Sequence, residues 1–338
     1  MVERLKVIKI SVFLLSILMF QYGIVGVATA EELIVYSGRG ERLIRPVLDE
    51  FTRKTGVEVK LHSAGTVELF NKLIAEGDRS LADVFLTVDA GILERARIAG
   101  LLQPIKSNVI TKNIPTAMRA PDNSWVGLSL RLRVIAYNPL RVKPDEIKTY
   151  ESLMKPKFKG RLGIRTGSNV YVQSHTAMMI AEKGETTTEK FLKAIVENAG
   201  DKIYPSDSRA VEAVAKGEVD VAVVNHYYVY GHLRKNPDDS KTLSFLMPPK
   251  TAYNVSGVGI LKTSKKKEIA QKFIELMASN EGQVMFAEEN REYPVNPKIP
   301  AHPDMKKRDT FTLSPVSLSM MGRYMVTAID LIDKVGYR

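Results

Sequence analysis

Apolar positions along the chain follow two rhythms, one continuous or alternating and one helical. Leu33, Ile34, Val35 and Tyr36 form a short apolar run, and after Ser37-Gly38-Arg39-Gly40 the apolar residues Leu43, Ile44, Val47, Leu48 and Phe51 recur at helical spacing. The alternation Val57-Glu58-Val59-Lys60-Leu61 predicts a second strand, followed by a helix with Leu69, Phe70, Leu73 and Ile74 on one face and a strand over 83–88. Strand, helix, strand, helix, strand in that order implies a parallel sheet covered by helices.

The same grammar returns after Gly160. Leu162-Gly163-Ile164 predicts a strand, 171–182 a helix, and Val219 to Val224 a strand buried on both faces. Two α/β units are therefore expected. Between them, 129–137 and 255–261 are β-rich segments that read as crossings of the chain from one unit to the other. From Lys265 onward the pattern predicts helices, first with Ile269, Phe273, Leu276 and Met277 and later over 320–332.

The first thirty residues follow neither rhythm. Arg4, Lys6 and Lys9 precede an apolar run from Ile10 to Phe20, and Ala28-Thr29-Ala30 is the small-x-small pattern after which a signal peptidase cuts. That run is short of the roughly 20 residues a membrane span needs. An exported chain cleaved after Ala30 is expected, with a soluble mature part in the periplasm. No cysteine occurs in the chain, which excludes a lipid anchor, disulfides and thiolate ligands. Any metal must then be held by His, Asp, Glu or Tyr, a set that favours hard cations.

Charge changes the picture little. The formal net charge of +11 falls to +9 when the three bases and one acid of the leader are removed. Basic residues are scattered, Lys265-Lys266-Lys267 and Lys306-Lys307-Arg308 being the runs, and neither is interleaved with aromatics as a single-strand platform is. Nucleic acid is not the expected partner; attraction of anions or anionic chelates is. Enzyme motifs are missing too. Gly38-x-Gly40 lacks the third glycine of a dinucleotide loop, with Leu43 in its place, and there is no Gly-x-Ser-x-Gly, phosphate loop or His-Glu-x-x-His. Asp83 and Asp89 lie at a strand edge without a nearby base, so a hydrolase is not expected and the chain is read as no enzyme.

Six segments, in order, carry a resemblance to a known family: Val35-Tyr36-Ser37-Gly38-Arg39, Ala82-Asp83-Val84-Phe85, Arg131 to Asn138, Ser168-Asn169-Val170-Tyr171, Asn225-His226-Tyr227-Tyr228 and Asn254 to Gly259. The chain resembles the periplasmic ferric-ion-binding proteins of bacterial iron(III) ABC transporters. The resemblance implies an α/β, two-lobed type II periplasmic-binding-protein fold with a ligand cleft between the lobes. Lobe one is expected over 31–130 with 255–298 returning to it, and lobe two over 131–254 with 299–338 packing on it. It also implies Tyr171, Tyr227 and Tyr228 as iron ligands. Members of the family that carry His-Tyr after the first turn take two further ligands from lobe one; here those positions are Gly40 and Glu41. The branch that completes the shell with a carbonate-type anion is the nearer match, with Arg39 and Glu41 as additional candidates.

Fe(III) prefers hard anionic oxygen donors, and a phenolate is among the hardest a protein offers. Tyr227 and Tyr228 follow a buried strand and so lie at the carboxyl edge of a sheet, where ligands of open α/β folds bind. Tyr171 follows Thr166-Gly167-Ser168-Asn169 at a helix start, a ready anion site. Ser168, Asn169 and Asn225, with a guanidinium from Arg131 or Arg133, are the expected anion-binding residues. His226 alternates away from Tyr227 and reads as a supporting or surface residue, and Tyr36, Tyr230 and Tyr293 as core. The expected function is capture of Fe(III) and delivery, as a monomer, to an inner-membrane ABC permease. The alternative is a receptor of the same fold for phosphonate, sulfate, thiamine or a polyamine. Intact-mass measurement of the exported protein should give a chain beginning at Glu31; a membrane-bound form that retains residues 1–30 overturns the leader assignment.

Overall fold

The computed structural model describes residues 31–338; the leader and its cleavage point lie outside the described residues. The strands described are β1 (Glu32–Ser37), β2 (Glu58–Ser63), β3 (Val84–Thr87), β4 (Leu102–Gln103), β5 (Val126–Tyr137), β6 (Leu162–Arg165), β7 (Ile203–Tyr204), β8 (Val221–Asn225), β9 (Ser244–Leu246), β10 (Tyr253–Leu261) and β11 (Tyr293–Pro294). Their order is β2-β1-β3-β10-β5-β8-β6-β7, with β4, β9 and β11 at the margins. None of the described helices is long and apolar enough to cross a membrane.

The first α/β unit forms as the periodicity predicts. β1 pairs in parallel with β2 and β3, and the helix Glu41–Thr55 between β1 and β2 buries Ile44, Val47, Leu48 and Phe51. That helix stops at Gly56, whose φ of 71° is the left-handed conformation that favours glycine, and whose N–H closes on the Thr52 carbonyl. The second unit has β6 in parallel with both β7 and β8. Leu162 pairs with Val221, so the carboxyl ends of β6 and β8 stand side by side.

The expected crossings are the paired strands β5 and β10. They run antiparallel from Tyr253 opposite Leu132 to Val258 opposite Val126, with a register shift between Ser256 and Gly257. β5 begins three residues earlier than the sequence pattern suggests, at Val126, and every one of its residues is buried. It changes partner midway: up to Leu132 it pairs with β10, and from Arg133 to Tyr137 with β8. β10 in turn pairs with β3, Val258 facing Leu86. Sheets of both lobes thus share one strand rather than being linked by loops.

The helix expected over 320–332 is two helices, Leu318–Arg323 and Met325–Lys334, broken at Tyr324. Leu318–Arg323 packs on the helix Ala90–Ile98 of the first lobe and also touches Val170–Lys183 of the second, against which Met325–Lys334 lies. The close approach needs glycine: a Cβ on Gly322 meets Glu94 Cβ at 2.4 Å and Cγ at 2.6 Å. Glu94 cannot move aside, because its buried carboxylate is bonded by Arg97 Nη2 at 2.7 Å and by Trp125 Nε1 at 3.0 Å. Gly322→Ala should therefore destabilise the protein by about 1–3 kcal/mol through overpacking. Urea unfolding measures this, and an unchanged midpoint shows that the helix can shift without cost.

Candidate functional site

The adjacent carboxyl ends of β6 and β8 each feed a helix. Asn169 begins the helix Val170–Lys183, its side-chain oxygen accepting the Tyr171 N–H at 3.0 Å. Asn225 stands at the N-cap of the helix His226–Lys235 without a side-chain cap bond, so Tyr227 and Tyr228 fall in its first turn. Two helix N-termini therefore converge on one place and bring their tyrosines with them. The rings of Tyr227 and Tyr228 are 4.5 Å apart between centroids. Tyr171 is close enough to raise the cost of ionising either of them.

Burial first, then Tyr171 and Tyr228, pushes the Tyr227 phenol well above its ordinary pKa. Tyr228 is raised by burial and by Tyr171. Tyr227 and Tyr228 are thus neutral phenols at neutral pH, of the kind a strongly charged cation ionises. Asn225 supports it: its Nδ2 donates to the Tyr227 oxygen at 3.1 Å while its Oδ1 accepts from Arg133 Nη1 at 3.2 Å.

Arg131 enters from the crossing strand β5, with its guanidinium carbon 5.3 Å from the centre of the Tyr171 ring. It is 2% exposed, and its Nε and Nη2 have no hydrogen-bond partner among the described residues. A buried guanidinium with two idle donors is a place prepared for an acceptor, since leaving such donors unmatched is costly. Burial works against its charge, but Tyr171, Tyr227, Glu292 and Asp89 outweigh burial and raise its pKa.

The other expected site residues divide. Arg133 is not a free anion binder: it lies over lobe two with Asp207 on Nη1 at 2.8 Å and the Val223 carbonyl on Nη2 at 2.8 Å. Arg39 is likewise engaged, 2% exposed, with Glu292 and Ser256 on Nη1, the Phe286 carbonyl on Nη2 and the Phe286 ring 4.1 Å from its guanidinium carbon. Glu41 stands on the surface in the first turn of its helix, its carboxylate on Arg45 one turn later. Ser168 is exposed, and its carbonyl accepts from Gln173. Asn169 serves the site by capping the Tyr171 helix.

His226 is buried, and Nδ1 accepts the Leu132 N–H at 3.1 Å, so it braces the crossing strand against the tyrosine helix. Burial pushes its pKa down to about 4, which keeps the imidazole neutral. Arg165 escaped the sequence reading. Its guanidinium carbon lies 5.5 Å from the Tyr171 ring centre, on a side chain that also pairs with Asp207 at 3.3 Å. Its place as the last residue of β6 was the available signal, because strand carboxyl ends face the ligand in such sheets.

Comparison with known proteins gives a consistent neighbourhood. The family model described as bacterial extracellular solute-binding protein matches residues 47–312. "Iron uptake protein A1" of Synechocystis sp. is 36% identical over 317 residues, covering 91% of this chain and 88% of that one. The "Major ferric iron-binding protein" of Neisseria meningitidis is 33% identical over 295 residues, 85% of each chain. Among solved structures, the Trichodesmium protein in complex with iron and citrate superposes with a TM-score of 0.82 at 36% identity, covering 91% of this chain and 100% of that one. Iron-bound HitA from Pseudomonas aeruginosa gives 0.83 at 28% identity, with 90% and 99% covered.

Exposed tyrosines ionise at about pH 10, whereas the shifts above keep Tyr227 and Tyr228 protonated there. In an alkaline titration of the metal-free protein, replacing both by Phe should leave the tyrosinate absorbance gained around pH 10 unchanged. A drop by two tyrosines' worth shows that the pair ionises like free phenol.

Proposed function

The chain belongs to the bacterial extracellular solute-binding protein family, and we propose that it captures Fe(III) in the periplasm on Tyr171, Tyr227 and Tyr228 and delivers it to an inner-membrane ABC permease. It is a two-lobed type II binding protein with a transport role, not an enzyme. The observation that carries the iron reading is the convergence of three phenols with one buried, unmatched guanidinium. A receptor for sulfate or a polyamine has no use for three ionisable oxygens in one cluster. Lobe one is taken as 31–130 with 255–298, lobe two as 131–254 with 299–338, and the protein as a monomer.

The energetics favour a trivalent cation. A phenol with an ordinary pKa near 10 costs about 4 kcal/mol to ionise at pH 7, so three cost about 12. Burial raises that sum for Tyr227 and Tyr228. Fe(III) overcomes it by neutralising three phenolates outright, and protons leave as it binds, so affinity falls on acidification. Three phenolates fill half an octahedral shell. A carbonate-type anion on the Nε and Nη2 of Arg131 supplies further oxygen donors, and the N-terminus of the Val170–Lys183 helix favours negative charge beside it. Arg131 is preferred to Arg133 because Arg133 is spent on Asp207.

Iron loading should turn the protein orange to red through phenolate charge transfer. Tyr227→Phe or Tyr228→Phe should lower affinity by orders of magnitude while leaving the urea midpoint nearly unchanged; iron retention equal to the parent's in both refutes the ligand assignment. Arg131→Ala, or removal of bicarbonate, should abolish tight binding, whereas Glu41→Gln should not. Full uptake in bicarbonate-free buffer, together with loss in Glu41→Gln, makes Glu41 the ligand instead.

A further inference from the structure

Among the described residues, Asp89 is the lobe-one carboxylate whose hydrogen bonds reach both the crossing strand β10 and the Tyr171 helix. Its backbone is fixed at the end of β3, the carbonyl accepting from Thr87 Oγ1 at 2.8 Å and the N–H donating back to that oxygen at 3.0 Å. Its Oδ1 caps the helix Ala90–Ile98, accepting from the Ile92 N–H at 3.2 Å. Oδ2 accepts from Asn254 Nδ2 of β10 at 2.7 Å and from the hydroxyl of Ser174 in the second lobe. Asp89 is fully buried and Ser174 is 3% exposed, so the contact is shielded from water. Ser174 lies three residues after Tyr171 on the same helix, which puts the two on neighbouring positions of one face.

We propose that Asp89 and Ser174 form a latch between the lobes and act as positioning residues that hold Tyr171 in the closed site, an inference that rests on the iron reading above. The local chemistry makes the latch reversible. The Ser174 oxygen also lies 2.7 Å from the carbonyl of Val170 one turn back, and its single proton goes to Asp89 Oδ2 when Asp89 is near; burial raises the Asp89 pKa, and Ser174, Arg131 and the Ile92 and Gly91 N–H groups oppose that shift in favour of the carboxylate. When the lobes part, the hydroxyl turns to Val170, a bond helical serines commonly make. Asp89 meanwhile keeps its cap and Asn254. Neither partner is orphaned in either state, so the closed state gains one charge-assisted bond without an opening penalty on both sides.

The test uses the full mature protein, with Ser174→Ala and Asp89→Asn as parallel variants and Ser174→Thr as the hydroxyl-retaining control. Iron release to excess citrate should be about tenfold faster in Ser174→Ala and Asp89→Asn, the scale of one charge-assisted hydrogen bond, and close to the parent rate in Ser174→Thr. The visible band should keep its position, since no ligand is lost. A release rate in Ser174→Ala within about twofold of the parent, well inside the effect of one such bond, overturns the latch, as does a displaced band. Small-angle scattering of the metal-free protein reads the latch independently of iron. A larger radius of gyration in Ser174→Ala supports it, and an identical one overturns it. A parent that takes up no coloured iron defeats the ferric reading alone, and the scattering result still decides the latch.

Discussion

Everything at the site depends on the cost of keeping three phenols and one guanidinium together away from water. Burial and the neighbouring phenols make Tyr227 costly to ionise, and burial and Tyr171 do the same to Tyr228. The guanidinium of Arg131, by contrast, stays charged because Glu292 and Asp89 lie in its field. The metal-free cluster is therefore a pocket in which protonated phenols surround one guanidinium. A cation strong enough to displace the protons turns the same residues into a matched set.

The fold supplies this arrangement through β5, which is shared by both sheets, and through β10 paired beside it. β5 delivers Arg131 and then, two residues later and one partner strand further on, Arg133. One arginine faces the phenols with idle donors, and the other is consumed in tying β8 to Asp207. His226 and Asp89 extend the same logic. Each joins a crossing strand to one of the helices around the site, His226 through Leu132 and Asp89 through Asn254. The tyrosine-bearing helices are thus tied by these side chains to β5 and β10, the strands between the two units.

Much of this was legible in the chain. The strand and helix rhythm of both units, the pair Tyr227-Tyr228 after a buried strand, and Tyr171 at a helix start are local features, and local features survive folding. Glu41 and Arg39 were not separable locally. Arg39 disappears into the core because Glu292, 253 positions away, meets it there, and Glu41 stays in solvent at the exposed first turn of its helix, with its carboxylate on Arg45. Arg131 and Arg133 fall on the same side of one strand, so the period of two treats them alike; their fates diverge where β5 exchanges β10 for β8, which no short window of sequence records. The helical pattern over 320–332 gave no warning that the last helix would break at Tyr324.

The return of β10 to the first lobe has a consequence for how the molecule is made. β3 finds its neighbour about 170 residues later, Val84 pairing with Ile260, and only then is the sheet of lobe one complete. Chains whose central contacts are this distant in sequence fold slowly, because a large loop must close before any reward is gained. The 131–254 stretch, whose strands pair with one another over short separations, can form first and bring the ends of that loop together. A chain stopped before Tyr253 leaves the β3 edge open to another molecule, which is the kind of edge that invites aggregation. Premature termination in the second half of this protein therefore endangers lobe one, although every residue of its first three strands has already been synthesised.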